Sequence, residues 1–380
     1  MKVLVLYDYP PSPGGLASQG DLLYKGLKDL GIEAYSVNFE SAQEKEWYYN
    51  WFKPDVVVGI GYWGHSPHLV LQPQQHGMMP VPWLVADGYI ANYRDALENL
   101  PLILVTSQWV KQVYIRDGMS GKNIEVLPVG CDTDSFCPRD KNDPKVSCIR
   151  KSLGVADNEL MILTVGGDAA SKGGQEVMQA LAAIRDKIPA WKYVCKVWPQ
   201  PRTEHQNALD FELAKQLGLE DKMIYAVNKI SRNFMPYLIA ACDIYAAPSR
   251  LEGFGMIQVE ANACEKPVIG INAMGLLDTM IHGQTAYLAG VAKEITIAET
   301  TVGVESGFAP NTKIKFEKPR VVDYRASSPD IAKYLLELMN NPDLCKKMGQ
   351  AGRKRVVENF NYKVVAKKFV EIVQRKLGIK

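Results

Sequence analysis

Short, uniformly apolar runs alternate with helix-length amphipathic stretches from one end of the chain to the other. In the first part the runs are Val3–Tyr7, Ala34–Val37, Val56–Ile60, Trp83–Ala86, Leu102–Thr106 and Ile124–Leu127. Between the first two, Leu16–Leu30 places Leu22, Leu23, Leu27 and Leu30 near helical spacing. Strands that are apolar throughout, joined by long crossovers, predict a parallel sheet covered on both faces. One doubly wound, Rossmann-like domain is therefore expected over residues 1–140, its sheet complete near residue 130.

Asp132–Ser147 is polar, carries Pro138 and Pro144, and has no apolar period, so it reads as a linker. The alternation then restarts with Met161–Val165, Trp191–Val197, Met223–Ala226, Ile244–Ala247 and Pro267–Ile271. A second Rossmann-like domain is expected over 141–360. The fold class is thus α/β, two Rossmann-like domains with parallel sheets. Ligands of such sheets bind outside the carboxyl ends of the strands, so two facing sheets imply an interdomain cleft. Residues 290–325 interrupt the pattern with Thr/Val/Ile-rich pieces (Ile295–Thr301, Lys313–Phe316) around Gly303, Gly307 and Pro310, which predicts an inserted hairpin or flap. From Pro329 onward the chain reads as helical, broken at Asn341-Pro342.

Composition narrows the function classes. The 380 residues carry 44 Lys+Arg against 42 Asp+Glu, a net charge of +2 that gives no electrostatic case for nucleic acid. No apolar run approaches the roughly 20 residues that cross a bilayer. The N-terminus reads as a first strand and not as a signal peptide. Seven cysteines lie scattered without a C-x-x-C pair, which disfavours a zinc site or a disulfide framework. A cytoplasmic protein is expected. The last forty residues hold eleven Lys/Arg against three acids. A solvated helical face is the preferred reading, with peripheral contact at the inner membrane surface and homo-oligomer formation left open.

Candidate chemistry sits at strand-to-helix junctions. In PSRLEGFGMIQVE (248–260), Gly253 and Gly255 flank Phe254 just before a helical pattern that starts at Met256. Glycines there let backbone N–H groups approach an anion, and a helix N-terminus adds a favourable dipole. Glu252 lies on the loop and Glu260 inside the helix, within reach of a ribose whose phosphates the helix start would hold. The plain alternative is a strand–helix connection with two solvated glutamates. In VGGDAASKGG (165–174), Lys172 beside Gly173 and Gly174 could pair with a diphosphate, or be a solvated helix-start lysine; P-loop spacing is absent. Pro13-Gly14-Gly15 and AMGLLDT (273–279) offer two further backbone approaches, or tight turns. Of the histidines, His65 and His68 fall on the ligand edge of the first sheet, while His76, His205 and His282 show no metal spacing. Asp87, at the end of the fourth run, shares that edge and is the better polar candidate.

These segments together resemble the retaining glycosyltransferases of family four, which have the GT-B fold. The Glu252–Glu260 spacing is similar to the family's Glu–seven residues–Glu motif. VLPVGCDTDSFCP (126–138) looks like its end-of-first-domain signature, and ILTVGGDAASKGG (162–174) like its V-G-R-x-x-x-x-K-G segment. FMPYLIAACDIYAAPS (234–249), ACEKPVIGINAMG (263–275) and IHGQTAYL (281–288) match in order and spacing.

The resemblance implies a transferase that moves a hexose from a UDP-glucose-like or GDP-mannose-like donor to a glycan, lipid or small polyol. The nucleotide sugar is a co-substrate, with no cofactor and no metal. Carried over, Glu260 would hold the ribose and Glu252 the transferred sugar. The backbone at Gly253, Phe254, Gly255 and Met256 would meet the phosphates, and Lys172 would counter their charge. Gly275 and Leu276 would stand near the sugar, and Gly15 would approach from the first domain. The helix at 361–380 would return to the first domain. Three departures stand out. Gly167 replaces the arginine of V-G-R, with Arg250 as a replacement. The first-domain histidine has no clear match, so Asp87 or His65 would take its place, Asp87 preferred. The last glycine of G-x-T-G is Ala286. They motivate a rival reading, a catalytically weak GT-B protein that binds a nucleotide or partner without turnover. A GT-B phosphorylase or synthase is a third.

Overall fold

The computed structural model describes residues 1–86, 88–199 and 201–379, with the side chains of 201–204 excepted. The chain divides into two compact units. The first comprises Met1–Asp132, Thr296–Val321 and Asn359–Lys380, and the second Thr133–Ile295 and Val322–Glu358.

In the first unit the apolar runs form β1 (Lys2–Tyr7), β2 (Glu33–Asn38), β3 (Val56–Tyr62), β4 (Pro80–Val85), β5 (Ile103–Val105) and β6 (Ile124–Val126). They pair in parallel as one six-stranded sheet in the order β2-β1-β3-β4-β5-β6. Leu4, Val57, Leu84 and Ile103 from four of these strands are buried in one apolar cluster. Each such side chain contributes about 1.5–3 kcal/mol by leaving water. The helix Gly15–Asp29 packs on the helix Tyr362–Leu377, where Gly26 lies against Ala366 and Tyr362. Backbone bonds from Cys131 N–H to Phe360 (2.7 Å) and from Tyr362 N–H to Cys131 (3.0 Å) tie the chain's return into this unit.

The second unit holds β7 (Leu160–Val165), β8 (Trp191–Val197), β9 (Met223–Val227), β10 (Ile244–Ala246), β11 (Val268–Ile271) and β12 (Tyr287–Ala289), ordered β12-β11-β10-β7-β8-β9 and again parallel. Two parallel sheets, each a doubly wound α/β layer, are the fold class that the alternation predicts.

Two boundaries differ from the expectation. The second unit begins at Thr133, not near 141, because Arg353 Nη1 binds the carbonyls of Thr133 (3.0 Å) and Phe136 (2.6 Å). The expected linker Asp132–Ser147 is shorter than it reads, since the helix Pro144–Ser152 starts inside it. Asp143 caps that helix by accepting from the N–H of Lys145 at 2.8 Å.

The insertion is a two-stranded hairpin, β13 (Val291–Val302) and β14 (Thr312–Ala326). Its distal part, Thr296–Val321, belongs to the first unit and is anchored there by specific contacts. The Phe316 ring lies 5.1 Å from that of Tyr89, and Asn92 Nδ2 donates to the carbonyl of Ser306 at 3.1 Å. Arg320 Nε stands 2.9 Å from Oδ1 of Asp117, a carboxylate 2% exposed that also receives the N–H of Ile90. No helix among the described residues is long and apolar enough to cross a membrane.

Candidate functional site

The second unit brings the carboxyl ends of β7 and β10 together with the helix Met256–Ala263. That helix begins after Gly255, whose φ of 90° is one that L side chains rarely adopt. No side chain caps it and its first turn holds no acid. An N-terminus of this kind can receive an anion.

Glu252 is held from several sides. Its Oε2 lies 2.7 Å from Lys172 Nζ and its Oε1 accepts the N–H of Gly255 at 3.0 Å. The backbone of Glu252 is fixed as well: its N–H contacts Met274 Sδ at 3.3 Å, and its carbonyl accepts the N–H of Gly275 at 3.1 Å. Met274 adopts a positive φ of 57° to allow this, an uncommon conformation for a side chain of its size. A Cβ at Gly275 would fall 2.1 Å from the carbonyl oxygen of Gly253, so only glycine lets these loops meet. Burial pushes the Glu252 carboxyl up, but the charge and hydrogen bond of Lys172 and the Gly255 N–H outweigh it and hold the group below the usual carboxylate range.

Glu260 is 1% exposed, yet only one of its oxygens has a partner among the described residues. Oε1 pairs with Arg232, whose guanidinium also stacks 4.6 Å from the ring centre of Phe136. Oε2 is buried without a hydrogen-bond donor among the described residues. A buried carboxylate oxygen left in that state costs free energy unless a ligand hydroxyl reaches it. Arg232 escaped the sequence reading, because a lone arginine in the loop after β9 follows no spacing rule.

The remaining candidates divide. Phe254 and Leu276 are buried, with Leu276 filling the space beside Gly255 and Gly270. Gly253, Gly255, Met256 and Gly275 join Glu252 and Lys172 in the same loop cluster. Gly167 lies at the end of β7, next to the ring of Trp198. Arg250 has another task than the one expected of it. Its Nη2 binds Gln175 (2.8 Å) and both oxygens of Glu176 (3.0 and 3.1 Å), and the residue is 9% exposed. Its charge is thus met by Glu176. Gly15 opens a helix of the first unit, at the carboxyl end of β1. His65 in that unit stacks on Phe39 at 4.9 Å, and burial, with the charge of His68 adding, lowers its imidazole to about 4. Asp87 lies outside the described residues. A groove of about 610 Å³ lined by Ile149, Phe234 and Tyr237 contains none of the candidates.

Comparison with known proteins fits this arrangement. Residues 147–304 match the family model for glycosyl transferases group 1. Mannosylfructose-phosphate synthase of Agrobacterium fabrum is 26% identical over 192 residues, 50% of this chain and 41% of that protein. D-inositol 3-phosphate glycosyltransferase of Rhodococcus erythropolis is 24% identical over 245 residues, 62% of this chain and 54% of that protein. The chain thus spans about half the length of the curated relatives it matches. The crystal structure of Anabaena HepE in complex with UDP and glucose aligns over 98% of this chain and 99% of its own, with a TM-score of 0.73 and 16% identity. At that identity the likeness concerns the fold, two parallel α/β units of the GT-B kind.

Proposed function

We propose that this chain, which has the GT-B fold and matches the model for glycosyl transferases group 1 over residues 147–304, transfers a hexose from a nucleoside-diphosphate sugar to a glycan, lipid or small polyol. Transfer proceeds with retention at the anomeric carbon and without a metal ion. The observation that carries this reading is the pairing of two unlike carboxylates around one helix N-terminus. Glu260 presents a buried oxygen that lacks a donor among the described residues, which suits a ribose hydroxyl. Glu252 is anchored at both oxygens, which suits orientation of a sugar and not proton abstraction.

The chemistry follows from the same groups. Breaking the glycosidic bond leaves charge on the departing diphosphate. Lys172 and the amides at the start of the helix Met256–Ala263 stand where that charge develops, and such fixed groups stabilise it without reorganising. The acceptor hydroxyl attacks from the face that the leaving group departs. The departing phosphate oxygen takes the hydroxyl proton, so no side-chain nucleophile is required.

One observation favours a second reading, a protein that binds the nucleotide without turnover. Gly167 offers no cation and Arg250 is engaged by Glu176. The test has two stages. Thermal stabilisation by UDP, GDP and ADP identifies the nucleotide, since a ligand stabilises by RT ln(1+[L]/Kd) whether or not turnover follows. The sugars of that nucleotide are then assayed for nucleotide release. Stabilisation with sugar-dependent release supports the transferase. Stabilisation without release over an acceptor panel supports the binding protein, and no stabilisation overturns both.

A further inference from the structure

We infer that Lys196 supplies the second phosphate-binding cation of this donor site, in place of the arginine that Gly167 lacks. The inference rests on the nucleotide-diphosphate reading above and concerns a residue outside every motif in the sequence.

The argument begins with strand register. β7 and β8 are parallel neighbours with Val165 opposite Lys196, so these two side chains leave the sheet on the same face. The ladder continues beyond β7, with Gly166 N–H donating to the carbonyl of Lys196 at 3.0 Å and Trp198 N–H donating to the carbonyl of Gly167 at 3.0 Å. Alternation then puts position 167 on the face of Val165 and Lys196, and position 166 on the other. The other face is where Lys172 lies, since a Cβ at Gly166 would meet Lys172 Cγ at 2.6 Å. The two lysines therefore flank the carboxyl end of β7, one on each face.

Lys196 also points the right way. Its ammonium sits 5.9 Å from the centre of the Trp198 ring, two residues further along the strand, so the side chain leans toward the strand's carboxyl end. A Cβ built at Gly167 points at that same ring, with 3.9 Å to its nearest atom. An arginine at 167 would start in ordinary contact with the indole against which Lys196 already rests.

The environment of the amine calls for an anion. Lys196 is 3% exposed, and no carboxylate pairs with it among the described residues. Burial lowers the amine to about 8. A desolvated ammonium without a counter-ion is unfavourable in the free protein and gains when a phosphate arrives. Other buried cations of this unit are neutralised: Arg250 by Glu176 and Arg150 by Asp243.

Calorimetric titration with the diphosphate that stabilises the protein, its monophosphate and its nucleoside tests the assignment. In Lys196→Met, diphosphate affinity should fall about 10–100-fold, the range for losing a charge-assisted contact, while nucleoside affinity changes less than about threefold. The Met variant should melt no lower than wild type without ligand, because it removes an uncompensated buried charge. Lys196→Arg should keep the affinity, and Gly167→Arg added to Lys196→Met should restore most of it. Equal losses for nucleoside and diphosphate, or no loss, would overturn the role. Should wild type bind none of UDP, GDP and ADP, the donor-site reading fails separately. Pyrophosphate then decides the present inference: binding that Lys196→Met abolishes upholds it, and absence of binding to wild type refutes it.

Discussion

Lys172 Nζ lies 2.7 Å from Oε2 of Glu252, so the cation expected to meet a diphosphate is already paired with the acid expected to hold the sugar. The pair is mostly withdrawn from water, with side chains 25% and 15% exposed. A donor that takes the ammonium must compete with the glutamate for it, or bridge the two.

This competition gives opposite signs for two variants. Lys172→Ala should weaken diphosphate binding about 10–100-fold, because a charge-assisted contact disappears. Glu252→Ala frees the lysine, so its nucleotide-diphosphate affinity should equal or exceed wild type while sugar transfer falls at least about 100-fold. Calorimetry and a nucleotide-release assay on both variants decide it. If Glu252→Ala weakens nucleotide binding as much as Lys172→Ala, the two are not in competition.

The same pair has an acid limit. The Glu252 carboxyl is held below its ordinary value of about 4.3 in the folded state, so the pair's contribution is complete above that value. It is lost as pH falls below the ordinary range and through the folded value. The wild-type melting temperature should therefore drop more steeply below about pH 4 than that of a Lys172→Met variant. Parallel curves for the two would refute the coupling.

Glu260 should report on ribose. Its Oε2, unpartnered among the described residues, predicts that Glu260→Ala costs about 10–100-fold in nucleotide affinity. Deoxy nucleotides lacking a ribose hydroxyl should bind wild type more weakly than the parent, yet bind Glu260→Ala as well as the parent does. Additive losses from ligand and protein changes would place the carboxylate elsewhere.

His65 sets an acid sensitivity in the first unit. Its imidazole titrates near 4 when folded against about 6.5 when unfolded, so protons bind the unfolded state first as pH falls. Stability should decline between pH 6.5 and 4. His65→Phe should flatten that decline while leaving the melting temperature at pH 8 within a few degrees. An unchanged slope would show that other groups carry it.

The hairpin depends on a buried charge. Asp117 is the anchor for Arg320, and Arg320→Ala should loosen Thr296–Val321 without unfolding the sheets. Hydrogen exchange in β13 and β14 should quicken several-fold, with β1 and β3 unchanged. Asp117→Ala also strips the buried Ile90 N–H of its acceptor and should cost more, about 1–3 kcal/mol by chemical denaturation. Equal exchange rates in Arg320→Ala and wild type would remove Arg320 as the anchor.

Local chemistry was enough for the sheets and for the turn around Glu252. Uniformly apolar runs are dictated by burial on both faces, and every run named from the pattern became a strand. Glycine spacing likewise marks where backbones approach closely, as at Gly255 and Gly275, because that demand falls on one residue at a time. What local pattern cannot express is which distant side chains share a face or a charge. Nothing near position 250 in the chain tells that Arg250 is claimed by Glu176, or that Arg232 binds one oxygen of Glu260 and not the other. Lys196 reads as one polar residue in an apolar strand, and only the register of β8 against β7 puts it on the face of the glycine at 167. The hairpin's pieces were visible, but its seat on Tyr89, Asn92 and Asp117 was not. Strand and helix follow from periodicities of a few residues, whereas pairing of buried charges follows from contacts between segments tens to hundreds of residues apart, and only the folded chain decides those.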